Sequence, residues 1–416
     1  MRIKKNKNKN IDYKIFSNIK TKQGRCIKLL GCKIYEEFTN EIFRVQKFCG
    51  NLVYTKKLCS PVKERKIFKI LNIPISERII SDDKIQYNIF NFPIKNINLP
   101  DIFYKKYLKK IQYDYDDVYI LHANSGEAYL FFAYCVKSVL KKNNSQKPLF
   151  IATQDYHVDI LKMYLPNANC IYIEDFYTRT KSDKWFVNGH NCYMIFSSNY
   201  FHNIEKDAHQ KDVGQVHYLN SIKKTLEISE KDYTKPVVNI SQEVKQILND
   251  KIKPLNLNLK NFVIIAPEAQ TCEELPISLW KSIVKELQKR GFDIFLNTVD
   301  KNSSIEGCKT VFLNYQEVFA LAQKAKAVIS LRSGFTEFLL PTEIPNITVY
   351  TKFRKRKKLA FSVEKTISAF SMHKFPFINH DLVCELNIDD FDHEEDLLKT
   401  IFENFDIMVT REAQTV

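Results

Sequence analysis

The run Leu331-Arg332-Ser333-Gly334-Phe335-Thr336-Glu337-Phe338 stands where an apolar stretch ends and a helical pattern begins. Backbone N–H groups at a helix start have no partner within the helix and can receive phosphate oxygens. Arg332 supplies a guanidinium fork that matches a pyrophosphate. Ser333 and Thr336 supply hydroxyls, and Gly334 completes the turn. Glu337, one turn on, can accept from sugar or ribose hydroxyls. The plainer reading is a Ser333 helix cap with Arg332 in a structural ion pair. A second run, Pro267-Glu268-Ala269-Gln270-Thr271-Cys272-Glu273-Glu274-Leu275-Pro276, is a polar loop ahead of Trp280. Gln270 and Thr271 in it can contact a base and a phosphate. A third run is Asn124-Ser125-Gly126-Glu127. Gly126 allows a tight turn, and Glu127 is expected at a helix start, facing a cleft, as general base for an acceptor hydroxyl. A helix-start Glu favoured by the dipole is the simpler alternative. Ser125, Gly126, Asp155 and His157 are assigned to the acceptor side.

A metal is not expected. His202, His209 and His217 lack ligand spacing, and no Asp-x-Asp stands at the carboxyl end of an apolar run. The expected chemistry is metal-independent, with N–H groups and Arg332 stabilising a diphosphate.

These runs sit in an alternation of short apolar segments and helical patterns. Strands are expected at 117–122, 148–152, 170–173 and 192–197, with helices at 127–142 and 158–164. The alternation restarts after a polar link at 205–260. Strands are then expected at 261–266, 292–296, 311–313, 327–331 and 346–350. Helices fall at 278–290, 316–325 and 334–340, and a last one within 389–406. Such alternation indicates α/β architecture with doubly wound parallel sheets. The expected domains are 1–110, a basic strand-turn region; 111–250, a Rossmann-like acceptor domain; and 251–416, a Rossmann-like donor domain. Ligands of such sheets lie beyond the carboxyl ends of the strands, which is where the three runs fall.

Charge divides the chain unevenly. Residues 1–110 carry a net charge of +17 and residues 111–416 a net charge of −2. A second basic island is Lys352-Phe353-Arg354-Lys355-Arg356-Lys357-Lys358. The asymmetry points to a polyanionic partner for the N-terminal part. Within it, Gly31, Gly50, Asn72 and Asn91 punctuate four similar β-prone units, spaced by 19, 22 and 19 residues. Each unit is expected to bend at its Gly or Asn, and the Pro that follows in several units suggests an edge strand. Lysines interleaved with Ile, Phe and Tyr suit an anionic inner-leaflet surface. No nucleic-acid motif is present. The ten cysteines form no Cys-x-x-Cys pair and are expected as reduced thiols in a cytoplasmic protein. No apolar run is long enough to span a bilayer, and Met1–Asn10 is not followed by the apolar segment of a secretory signal.

The segment from Ile265-Ala266-Pro267-Glu268-Ala269-Gln270 through Trp280 and Gly291 to Arg332-Ser333-Gly334-Phe335-Thr336-Glu337 resembles the ADP-heptose:lipopolysaccharide heptosyltransferase type of glycosyltransferase. It is also similar to capsule and lipopolysaccharide relatives of that type. The resemblance spans roughly residues 117–350, most strongly 262–350. It implies a GT-B-like fold, two Rossmann-like domains facing a cleft, with the basic β-rich region appended. It implies transfer of a sugar from a nucleotide sugar to a lipid-linked or saccharide acceptor, with no further cofactor. Glu127 matches the position of the family's catalytic Asp. Arg332 and Glu337 replace the acid and the His of the family's donor turn, and its loop Lys is absent, so a donor other than ADP-heptose is expected. The expected location is cytoplasmic, peripheral to the inner membrane, with a homo-oligomer left open. Two alternatives stay open as well, a non-catalytic scaffold in glycan assembly and a nucleotide-sugar epimerase.

Overall fold

The computed structural model describes residues 16–21, 24–29, 32–39, 43–48, 52–59, 63–70, 73–80, 84–89, 92–112, 114–174, 176, 183–195, 217–232, 234–298, 304–354 and 360–415. Met1–Asn10, His202, His209, the four punctuating Gly and Asn residues, and positions 355–358 of the second basic island lie outside the described residues. The chain divides into two compact units, 1–112 with 177–192, and 113–176 with 193–416. Residues 177–192, which the sequence groups with the first α/β half, therefore cluster with the basic region.

The first unit carries one antiparallel sheet in chain order. Its strands are β1 (Phe16–Thr21), β2 (Gly24–Leu29), β3 (Cys32–Thr39), β4 (Phe43–Phe48), β5 (Leu52–Cys59), β6 (Lys63–Ile70), β7 (Ile73–Ile80), β8 (Lys84–Ile89) and β9 (Phe92–Asn98). The four sequence units are four hairpins, β2–β3, β4–β5, β6–β7 and β8–β9. In three of them the register shifts just before the turn, skipping Ile34, Ile75 and Ile94. Each skipped Ile stands three residues after Gly31, Asn72 or Asn91, so the repeat extends to the position of its bulge. Pro93 does lie in the edge strand β9. Pro74 does not, because β7 has neighbours on both sides; it sits beside the register shift, where a missing N–H is tolerated. After β9, α1 (Leu99–Phe103) runs into a π-helical turn. Phe103 meets Trp185 of β13 (Lys184–Val187) edge-on at 5.3 Å.

The second unit holds two sheets built on parallel strands. In the first, β10 (Asp117–Leu121) pairs with β11 (Leu149–Ala152), and β11 with β12 (Asn169–Tyr172). β14 (His190–Ile195) lies on the other side of β10. Helix α2 (Ser125–Leu130) passes through a π-helical turn at Phe131–Cys135 into α3 (Val136–Asn143). Helix α4 (Asp155–Tyr164) follows β11. Two helices, α5 (Tyr218–Thr225) and α6 (Gln242–Ile252), occupy the polar link.

The second sheet has the order β16-β15-β17-β18-β21, all parallel. Its strands are β15 (Phe262–Ala266), β16 (Asp293–Leu296), β17 (Ala327–Leu331), β18 (Asn346–Tyr350) and β21 (Val383–Asn387). β21 was not legible in the sequence. The expected strand at 311–313 does not form; an isolated bridge between Phe295 and Lys309 takes its place. Helices α7 (Ile277–Lys289), α8 (Tyr315–Ala322), α9 (Gly334–Phe338), α10 (Val363–Phe370) and α11 (Glu394–Thr415) complete the half. Two-residue strands β19 (Phe353–Arg354) and β20 (Ala360–Phe361) pair beside it. Gly291 takes the positive φ of 79° that ends α7. Strands β10, β15 and β17 are buried along their whole length, as two-sided parallel sheets require. The unit is thus α/β and GT-B-like, two Rossmann-like halves as the sequence implies. Among the described residues, no helix is long and apolar enough to cross a membrane.

Candidate functional site

The loops that leave β10 and β17 meet. Asn124 caps α2, accepting the Glu127 N–H at 3.1 Å. Ser333 caps α9, accepting the Phe335 N–H at 3.3 Å, while the Thr336 hydroxyl donates to the Ser333 carbonyl at 2.5 Å. The two helix starts then abut through glycines. A Cβ added to Gly334 would lie 2.9 Å from the Cα of Gly126. Only hydrogen side chains allow backbone to approach backbone so closely.

Around that contact the structure gathers Glu127, Arg332 and Glu337, all buried. Arg332 Nη2 donates to Glu337 Oε1 at 2.7 Å. Its guanidinium carbon stands 3.7 Å above the centre of the Phe370 ring, a cation–π contact. The Tyr218 hydroxyl donates to Glu127 Oε1 at 2.5 Å, and the Tyr218 ring meets Phe370 at 5.0 Å. Phe370 therefore links the two carboxylates' partners. Burial pushes the Glu337 carboxyl above its usual range against the pull of Arg332, and the charge of Glu127 pushes the same way. Glu337 takes the guanidinium, while Glu127, whose charge reaches Glu337, takes the Tyr218 hydroxyl. Such a cluster can hold or pass a proton if the acids reach substrate.

Arg332 and Ser333 thus take the plainer of their two readings, ion pair and helix cap. A diphosphate at α9 requires Gly126 and Gly334 to part and Arg332 to leave Glu337. Glu127 does not face an open cleft as expected; its solvent exposure is 5%.

The loop carrying Gln270 and Thr271 is pinned by its far end. The Glu273 N–H donates to the Lys352 carbonyl at 2.9 Å, and the Thr351 hydroxyl to the Glu273 carbonyl at 2.6 Å. Gln270 is exposed, and Thr271 half-buried. Cys272 between them and the pin is buried, interacts with Arg332, and has its thiol pKa raised by burial against the guanidinium.

On the acceptor side, Ser125 and Gly126 are half-buried and Asp155 is exposed. His157 is fully buried, with both ring nitrogens engaged. Nδ1 accepts the Thr153 N–H at 3.3 Å and Nε2 donates to the Ala123 carbonyl at 3.0 Å. Tyr156 donates to the same carbonyl at 3.0 Å. Burial lowers the His157 pKa to about 4, so the ring is neutral and its tautomer fixed. His157 holds the loop that carries Ser125 and Gly126 and has no nitrogen left for an acceptor.

Sequence reasoning missed Tyr218, Phe370 and Cys272. Tyr218 opens a short helix inside a polar link, and Phe370 closes one beyond β18. Neither stands in a distinctive run.

No family model and no curated protein matches the sequence. Solved structures do resemble it. The chain is similar to a family 9 glycosyl transferase from Veillonella parvula at 11% identity, covering 73% of this chain and 98% of that one, with a TM-score of 0.44. It is similar to ADP-heptose lipopolysaccharide heptosyltransferase II of E. coli at 11% identity, covering 72% and 99%, with a TM-score of 0.46. It is also similar to the E. coli heptosyltransferase WaaC with ADP at 12% identity, covering 69% and 99%, with a TM-score of 0.38.

Proposed function

We propose that the chain is a glycosyltransferase that moves a sugar from a nucleotide sugar to an acceptor hydroxyl in bacterial surface-polysaccharide synthesis, without a metal ion. The observation that supports it is the convergence of Glu127 with Arg332 and Glu337 at the carboxyl ends of parallel strands from two sheets. The motif resemblance of 262–350 agrees in direction.

In the open state, Glu127 takes the proton of the acceptor hydroxyl as its oxygen bonds to the anomeric carbon. The bond from that carbon to the diphosphate breaks, and its electron pair leaves on the phosphate oxygen. Arg332, swung from Glu337, and the N–H and hydroxyl groups of Ser333, Gly334 and Thr336 receive that charge. Gln270 and Thr271 contact the nucleotide, and Glu337 the sugar or ribose. Ser125 and Gly126 line the acceptor side, with Asp155 at its rim. Residues 1–110 bring the enzyme to an anionic membrane surface in the cytoplasm.

Two experiments test this. The first is Glu127→Gln. Turnover falls by about 10²-fold or more while a nucleotide still raises the melting temperature; unchanged turnover overturns the role. The second is a thermal-shift panel of UDP, GDP, ADP, CDP and CMP, repeated on Arg332→Ala. One nucleotide stabilises the parent chain and not the variant. A specific observation favours a second reading, a non-catalytic scaffold: Arg332 and Glu337 are buried and paired with one another at 2.7 Å. No shift with any nucleotide would make that reading the better one.

A further inference from the structure

The guanidinium of Arg332 uses only half of one edge. Nε and Nη2 lie on the same edge of the guanidinium plane and form a fork for two oxygens. Glu337 fills one prong, accepting from Nη2 through Oε1 at 2.7 Å. Nε is buried and has no hydrogen-bond partner among the described residues. Cys272 also interacts with the guanidinium, but burial raises its pKa and keeps it a neutral thiol, which is a weak acceptor. Phe370 covers one face of the guanidinium at 3.7 Å. Phe370 is itself held, because the Tyr350 hydroxyl donates to its carbonyl at 3.1 Å. The plane of Arg332 is therefore fixed while one prong of its fork stays empty.

Stability does not account for this arrangement. A buried donor without a partner carries the penalty of its lost water. A buried ion pair is weak evidence of stability even when every bond is made. The position of Glu337 suggests another role. A Cβ on Gly334 would lie 4.0 Å from Glu337 Oε2, so the second carboxylate oxygen borders the point where Gly126 meets Gly334. The carboxylate thus sits where the two helix starts must part, on the cation that an incoming anion needs.

We propose that Glu337 is a built-in competitor for the anion site: its carboxylate occupies the Arg332 fork in the resting chain, and the site is autoinhibited until a diphosphate displaces it. The inference rests on the proposed reading of Arg332 as a diphosphate ligand and adds the regulation of that site. Glu337 meets the fork with one oxygen, whereas a diphosphate brings several and can take Nε and Nη2 together. Displacement of the carboxylate and parting of Gly126 from Gly334 are then one event. While the closed form dominates, apparent affinity is lowered by the fraction of chains that are open.

The test is calorimetric titration of the full chain with inorganic pyrophosphate, a probe that needs no contact between Glu337 and a sugar or ribose. Glu337→Gln keeps the shape and removes the competing charge, so it should bind pyrophosphate about ten- to a hundredfold tighter than the parent chain. The gain should be absent from Arg332→Ala/Glu337→Gln; a gain that persists there arises elsewhere and overturns the inference. Gly126→Ala leaves Arg332 and Glu337 intact and strains only the closed contact, at 3.3 Å. It should also bind tighter, by a smaller factor, and it carries the test alone if Glu337→Gln does not fold. Equal or weaker binding by the variants overturns the inference and, if the parent chain binds a nucleotide, leaves the transferase reading standing. Tighter pyrophosphate binding by Glu337→Gln, with no nucleotide stabilising either protein, would refute the transferase reading and leave the competitor standing. No pyrophosphate binding by any of these proteins would overturn both.

Discussion

Gly126 and Gly334 close the gap between the two α/β halves. A methyl on Gly334 would stand 2.9 Å from the Gly126 Cα, and one on Gly126 would stand 3.3 Å from the Gly334 Cα. The first distance is shorter than Cβ contacts permit, and its obstacle is backbone, which cannot rotate aside. Gly334→Ala is therefore expected to lower unfolding free energy by about 1–3 kcal/mol. Gly126→Ala should cost less, because a few tenths of an ångström relieve it. Urea denaturation of both variants checks the order. If Gly334→Ala equals the parent chain, the two helix starts do not meet in solution.

Arg332 and Glu337 form a buried pair at 2.7 Å. Removing one partner leaves the other charge unpaired away from water, at a cost of about 3–5 kcal/mol. Arg332→Met alone and Glu337→Gln alone should each destabilise on that scale. The double variant should cost much less than the sum, because no buried charge is stranded. Additive losses in the double-mutant cycle would mean the pair is not coupled in solution.

The Tyr218 hydroxyl bonds to a buried carboxylate at 2.5 Å. Tyr218→Phe keeps the ring against Phe370 and removes only that donor. A hydrogen bond to a charged group is worth about 1.5–3 kcal/mol, so a loss in that range is expected from calorimetry. If Tyr218 also positions Glu127, turnover should fall with the KM for donor nearly unchanged. A variant that loses neither stability nor turnover would show that the bond contributes nothing.

Strand β15 was readable because it is an unbroken apolar run bounded by polar residues, the signature of burial on two faces, and β17 and β18 were readable because they depart from that pattern only at Ser330 and at Asn346 and Thr348. The four hairpins were readable as units because Gly31, Gly50, Asn72 and Asn91 recur at intervals of 19, 22 and 19 residues. Their full pairing was not, since nothing local states which neighbour a strand takes. The site was half legible. Arg332, Ser333 and Glu127 announce themselves by lying at strand-to-helix turns. That Arg332 would turn onto Glu337 and Phe370 could not be read. The Phe370 contact joins segments far apart in sequence, and burial of an ion pair is set by tertiary packing rather than by the residues beside it. His157 shows the opposite failure: its type suggested chemistry, while its neighbours Thr153 and Ala123 made it a clasp for the loop.

Acid should destabilise the second unit through two histidines. Burial lowers His157 and His217 from 6.5 to about 4; for His217 the charge of Lys374 adds to the effect. Between those values the unfolded chain binds protons that the native state refuses, so stability falls as the pH drops from about 6.5 to about 4. At 1.36 kcal/mol per unit, each histidine contributes a loss of about 3 kcal/mol. Asp159 acts in the opposite sense. Burial, with Asp155 nearby, raises its carboxyl from 3.8 to about 6. The native state therefore takes up a proton before the unfolded chain does, returning about 2 kcal/mol over the same window after allowance for its partial exposure. The net expectation is a loss of a few kcal/mol, steepest just below pH 6. Urea midpoints across the window check it. His157→Gln, whose amide can still donate to Ala123 and accept from Thr153, should flatten the slope. Asp159→Asn should steepen it. A midpoint independent of pH, or the same slope in all three proteins, would mean that neither histidine is held neutral by the fold.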